Sequence, residues 1–116
     1  MKNLEHDIQS ACIRWFRYQY SDHLIYAVPN GSWRNKITAA KLKEEGVLAG
    51  VPDVFIPVAR NGYHGLYIEF KAEKNRLTQS QMIIIDKLIQ EGYVCAVCYS
   101  FDTFKNIVDK YFKQRL

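Results

Sequence analysis

The chain has 116 residues, 48% hydrophobic and 24% charged, with a net charge of +4 and a pI near 9.0. That length supports one buried core and excludes a second independently stable unit, so residues 1–116 are read as a single domain. The longest apolar runs, Ile83-Ile84-Ile85 and Tyr93 to Tyr99, are far too short to span a bilayer, and the start Met1-Lys2-Asn3-Leu4-Glu5-His6-Asp7 lacks the apolar centre of a signal peptide, so a membrane protein is excluded and a cytoplasmic location expected.

Leu4, Ile8, Ala11, Cys12, Trp15, Phe16 and Gln19 recur at helical spacing, which predicts an amphipathic helix over 4–20 that lies against a sheet. Ser21-Asp22 breaks it. A first strand is expected over 24–28, closed by Pro29-Asn30-Gly31, and then a short polar helix over 38–45 stopped by Gly46. Two strands, 54–58 and 66–72, flank Asn61-Gly62, the strongest short hairpin signal in the chain. A long helix over 78–90 carries Met82, Ile85, Leu88 and Ile89 on its apolar side and has Gly92 just beyond its end. A buried strand over 93–99 and a closing helix over 102–112 complete the order, which implies an α/β fold: a mixed β-sheet flanked by α-helices. Cys95 and Cys98 are three apart on the last strand and face opposite sides of it, so they read as packed thiols, and zinc is not expected. An odd count of three cysteines also argues against a disulfide framework.

Chemistry concentrates in Gly50-Val51-Pro52-Asp53 and Leu66-Tyr67-Ile68-Glu69-Phe70-Lys71. Side chains two apart on a strand project from one face about 6–7 Å apart, so Glu69 and Lys71 can share a pocket while Ile68 and Phe70 turn into the core. With Asp53 on the neighbouring strand, two carboxylates make an oxygen-rich cup for a hard divalent cation beside an ammonium, the constellation of a metal-dependent nuclease. A geometric condition attaches. Opposed residues in an antiparallel pair share a face and their numbers add to a constant, which must be even for Asp53 to join Glu69 and Lys71. A bare two-residue turn at Asn61-Gly62 makes it odd, so a longer loop or a bulge is expected.

Arg34, Lys36, Lys41 and Lys43 precede the acidic turn, and Lys71, Lys74 and Arg76 follow. Each alone reads as solvated surface. As a group bracketing two acids they suit contact with a phosphate backbone, because a bare acidic pocket would repel DNA. Trp33 and Tyr63 are loop aromatics that either stack on unpaired bases or pack internally.

The chain resembles the VRR-NUC family, a branch of the PD-(D/E)xK nucleases, in stretches that follow the same order over most of its length. They are Glu5 and Gln9; Val28-Pro29-Asn30-Gly31; Gly46 with Gly50-Val51-Pro52-Asp53; Ile68-Glu69-Phe70-Lys71; and Leu77-Thr78-Gln79-Ser80-Gln81. The resemblance implies a restriction-endonuclease-like fold and a Mg²⁺- or Mn²⁺-dependent DNA endonuclease. It implies Asp53, Glu69 and the Phe70 carbonyl as metal ligands, with Lys71 beside the attacking water. Glu5 would be a further ligand or a near neighbour of the site, Gln9 and Gln81 site residues, and Asn30 and Gly31 a turn that approaches phosphate. Gln81 has a rival explanation, because Thr78-x-x-Gln81 is a capping box. Stand-alone relatives of this size look like phage or bacterial homodimers that cut four-way (Holliday) junctions, and larger relatives belong to DNA repair. A homodimer follows from the junction reading as well, since a two-fold symmetric substrate needs two sites, and Trp15, Phe16, Tyr111 and Phe112 are the candidate seam. The competing readings are a non-catalytic DNA-binding module, or a nuclease subunit that takes its specificity from a partner.

Overall fold

The structure, a computed structural model, describes residues 4–29 and 36–113, with Lys36 described by its backbone. Four helices and a four-stranded mixed sheet follow in the order α1 (Leu4–Gln19), β1 (Tyr26–Ala27), α2 (Lys36–Glu44), β2 (Val54–Ile56), β3 (Leu66–Phe70), α3 (Gln79–Gln90), β4 (Val94–Cys98) and α4 (Phe101–Lys113). The strands lie in sequence order, antiparallel from β1 to β3, and α3 is the crossover that makes β3 and β4 parallel. No helix among the described residues is long and apolar enough to cross a membrane.

One face of the sheet is the core. Val54 and Ile56 of β2 and Leu66, Ile68 and Phe70 of β3 are wholly buried, together with Cys12 and Phe16 of α1 and Phe104 and Val108 of α4. The Phe70 and Phe104 rings lie 5.8 Å apart, joining strand to helix. Phe16 and Tyr111 are buried here, and Trp15 and Phe112 pack on the same cluster, Phe112 4.4 Å from the Tyr20 ring. The four aromatics expected to form a dimer seam therefore hold α1 and α4 to each other and to the sheet. The apolar area of Phe16 and Tyr111 is spent inside one domain, and Trp15 and Phe112 remain partly exposed.

β1 is shorter than expected: only Tyr26 and Ala27 pair with β2, and Leu24 is 68% exposed. As an edge strand covered on neither face, it gains little from extending the ladder. Cys98 is buried and Cys95 half-buried, on opposite faces of β4 as the alternation requires, and all three cysteines are free thiols. On α3 no residue is fully buried: Met82, Ile83 and Ile89 are each about half exposed.

Between β2 and β3 the chain meets the condition that brings Asp53 to Glu69. At the tip Arg60 bridges Tyr63 around Asn61 (φ 55°) and Gly62 (φ 84°), the left-handed pair that a two-residue hairpin turn demands. The register there is odd. In the strands Val54 pairs with Ile68 and Ile56 with Leu66, an even register. Pro57, Val58 and Ala59 stand against His64 and Gly65, so one extra residue on the β2 side makes the change: a bulge. Its causes are local. Pro57 has no N–H for the ladder, and the Val58 N–H folds back onto the Ile56 carbonyl at 2.9 Å. The Tyr111 hydroxyl donates to the Val58 carbonyl at 2.6 Å and fixes the bulge to α4.

Candidate active site

Continuing the β2–β3 register by one pair sets Asp53 opposite Glu69, and the Val28 N–H donates to the Asp53 carbonyl at 2.8 Å, so the turn residue is held in the sheet from β1 as well. Asp53 Oδ2 accepts the Phe70 N–H at 2.7 Å. Glu69 is 3% exposed and Lys71 8%, the two buried charged residues among those described. Lys71 Nζ stands 3.8 Å from Glu69 Oε2, and the Lys71 N–H continues the parallel ladder onto the Cys98 carbonyl at 3.0 Å. The expected sharing of one pocket by Asp53, Glu69 and Lys71 is what the strands deliver.

Two carboxylates in a nearly dry site hold their protons tightly, because each ionised group is poorly solvated and repels the other. Burial pushes the Glu69 carboxyl up to about 8, the Asp53 charge adds to the rise, and the Lys71 ammonium opposes it. Burial raises Asp53 too, against the lowering effect of the Phe70 N–H. As an ionised carboxylate Glu69 leaves Oε1 buried without a donor, and only by taking up a proton can it bond to the Asp53 carboxylate. An unpaired carboxylate oxygen inside a protein is costly, so this site is organised against its own stability.

The surrounding helices brace it. Gln81 Nε2 donates to Glu69 Oε2 at 3.0 Å, while Gln81 Oε1 accepts the Thr78 N–H at 2.9 Å and Thr78 Oγ1 accepts the Gln81 N–H at 3.2 Å. The capping box and the contact with Glu69 thus coexist in one side chain. Glu5 reaches the same end of the sheet, but its Oε2 accepts the Ala72 N–H and the Asn75 side-chain amide, each at 3.2 Å. It fastens α1 to the turn after β3, which carries the exposed Lys74 and Arg76. Gln9 lies half-buried one turn along α1, with no hydrogen bond to either carboxylate. Among the described residues no three His, Cys, Asp or Glu side chains gather at cation-ligand spacing, so the acidic centre is the pair Asp53 and Glu69. Asn30, Gly31, Trp33 and Arg34 lie outside the described residues, as does the side chain of Lys36; Lys41 and Lys43 are exposed on α2, and Tyr63 is 46% exposed at the hairpin tip.

Gly50 is a site element that the sequence marks only as part of a turn. Its φ is +98°, and a Cβ there would sit 2.7 Å from the Ser80 carbonyl oxygen and 2.9 Å from its carbon. The acidic turn therefore rests directly on the first turn of α3, backbone to backbone. Gly50→Ala is expected to cost about 2 kcal/mol or more, from left-handed strain plus a contact that cannot relax by moving a side chain. Gly46→Ala, with φ +104° but open space around the added carbon, isolates the strain alone. Urea unfolding of both variants checks the difference; equal midpoints would remove the close approach as a constraint.

A family model described as the VRR-NUC domain matches residues 3–102. A solved structure described as "VRR_NUC domain protein" superposes with a TM-score of 0.79 at 30% identity, covering 97% of this chain and 91% of that one. Another, described as "VRR_NUC domain", gives a TM-score of 0.65 at 18% identity over 95% of this chain and 99% of that one, a likeness of fold. No curated protein matches the chain. The acidic turn, the Glu-x-Lys strand and the capped helix all fall within the matched stretch, and the chain belongs to the VRR-NUC domain family, a nuclease-related family.

Proposed function

We propose that this domain is a divalent-metal-dependent DNA endonuclease that hydrolyses phosphodiester bonds, selects branched DNA such as four-way junctions, and works as a homodimer. The observation that carries the reading is Glu69 Oε1: a buried carboxylate oxygen with no partner, on a strand that also presents Asp53 across the ladder and Lys71 on the same face. Hard divalent cations take oxygen donors, and two facing carboxylates with an unsatisfied oxygen fit Mg²⁺ or Mn²⁺. Asp53, Glu69 and the Phe70 carbonyl would hold the ion, and Glu5 would act by bracing the turn after β3. When bound, the ion would lower the pKa of water and neutralise charge that builds at phosphorus.

The chain's own residues do the rest. Gln81 and Lys71 both address Glu69 Oε2, and the Phe70 N–H fixes the Asp53 carboxylate. The Lys71 ammonium, nearly excluded from solvent, aligns the water that attacks phosphorus in line with the leaving oxygen. Lys74 and Arg76 project into solvent beside the site, where they meet phosphates flanking the cut. Two copies related by a two-fold axis would bring two sites to the two opposed strands of a junction.

The test is labelled four-way junction, flap, linear duplex and single-stranded DNA, each with Mg²⁺, Mn²⁺ or EDTA, with Asp53→Ala and Lys71→Ala alongside and the oligomeric state measured by light scattering. Paired metal-dependent nicks on the junction, absent in both variants, are expected, with DNA affinity kept in Asp53→Ala, since removing an acid cannot weaken attraction to phosphate. Binding without cleavage in every condition would replace this reading by a DNA-binding module. A strictly monomeric protein would point to flap, end or nicking activity instead.

A further inference from the structure

Gln81 closes two hydrogen bonds of opposite polarity, and only one orientation of its amide satisfies both. The Thr78 N–H can only donate, so it takes Oε1 at 2.9 Å; an ionised carboxylate can only accept, so Glu69 Oε2 takes Nε2 at 3.0 Å. Rotating the amide by half a turn would set oxygen against carboxylate and nitrogen against N–H. In a capping box the N-cap N–H is taken by the N3 side chain; here that side chain also lies in the acidic site, so the N–H selects its rotamer. The same turn of helix supports the other acid, because the Ser80 carbonyl is the surface on which Gly50 of the Asp53 turn rests.

We propose that Thr78, which touches neither acid, is a positioning residue: its backbone N–H orients the Gln81 amide, which holds Glu69 by Oε2 and leaves Oε1 for the cation. This inference rests on the cation-binding reading of Asp53 and Glu69. It predicts that cation affinity depends on a backbone group, which side-chain truncation alone does not remove.

Thr78 has φ −74°, within the range of a proline ring, so Thr78→Pro removes the N–H with little change in backbone angle. Thr78→Ala is its partner, because both lose the capping hydroxyl and only the proline loses the N–H. Mn²⁺ titration of the metal-free proteins, followed by the electron paramagnetic resonance of free Mn²⁺, is expected to give Thr78→Ser and Thr78→Ala dissociation constants within about threefold of wild type. Thr78→Pro and Gln81→Met should each be weaker by about tenfold or more, in the range of lost outer ligands, and the double variant no weaker than either single one. Equal affinities for the Ala and Pro variants, or additive losses in the double, would overturn the positioning role and leave the cation reading standing. No Mn²⁺ uptake by wild type would overturn both. Should the Pro variant not fold, hydrogen exchange decides: the Thr78 amide should be protected in wild type and released in Gln81→Met, and an unprotected Thr78 amide in wild type would overturn the proposal.

Discussion

Glu69→Gln should make the domain more stable and nearly inactive at once. Glu69 is 3% exposed, its carboxyl is pushed up to about 8, and Oε1 has no partner, so in the metal-free fold the ionised group is a liability. Glutamine has the same shape and no charge. Its oxygen can still accept from Gln81 Nε2, and its NH₂ can donate toward Asp53, replacing repulsion by a hydrogen bond. The gain above neutral pH should be on the order of a few kcal/mol, which for a domain of this size raises the melting temperature by roughly 4 °C or more. Turnover should fall by about 10³-fold or more, because a neutral amide oxygen neither balances the charge of a divalent ion nor helps to hold it. Melting curves in EDTA and single-turnover cleavage of the best substrate check the two halves. A variant that is less stable and equally active would show that Glu69 is an ordinary structural acid paired with Lys71, and the proposed site would be lost with it.

That opposition between stability and chemistry explains which parts of the site could be read from sequence. The shared face of Glu69 and Lys71 follows from strand alternation, with Ile68 and Phe70, on either side of Glu69, in the core on the other face. Parity also showed that a plain Asn61-Gly62 hairpin would turn Asp53 away, which obliged a loop or bulge. Its location at Pro57 was not legible, because beside the local return of the Val58 N–H to the Ile56 carbonyl it depends on a hydroxyl from α4 that only tertiary packing brings there. The bonds of Glu5 were hidden for a related reason: its partners, the Ala72 N–H and the Asn75 amide, lie 67 and 70 residues away along the chain and include a backbone group that no residue type announces. For Gln81 the two explanations, cap and site, competed on paper and hold together in space, because one amide has an acceptor and a donor. Of the aromatics on α1 and α4, Phe16 and Tyr111 are covered by the chain itself: an apolar helix face reads the same whether a second copy or the chain's own helix covers it.

In the absence of divalent ions, the domain should lose stability as the pH rises from 6 to 8.5, and added Mn²⁺ or Mg²⁺ should restore it. Glu69 has an ordinary value of 4.5 and a folded value of about 8, so the folded state binds its proton more tightly than the unfolded state does. Its contribution is complete below about 4.5 and is lost as the pH rises through about 8. Asp53 is shifted in the same direction by burial, so its contribution has the same sign. The thiols do not interfere in this window, since burial pushes Cys95 up to about 11 and Cys12 and Cys98 up to about 12. A cation needs the ionised pair, so its affinity should increase with pH over the same interval and its binding should release protons. The melting temperature in EDTA should therefore drop by several degrees between pH 6 and 8.5, the drop should vanish at saturating Mn²⁺, and Glu69→Gln should flatten most of it without metal. Thermal melts at four pH values, with and without Mn²⁺, for wild type and variant provide the check. A melting temperature that is level across the window and indifferent to Mn²⁺ would mean that Glu69 is already ionised and satisfied in the fold, which removes the physical reason for a cation at Asp53 and Glu69.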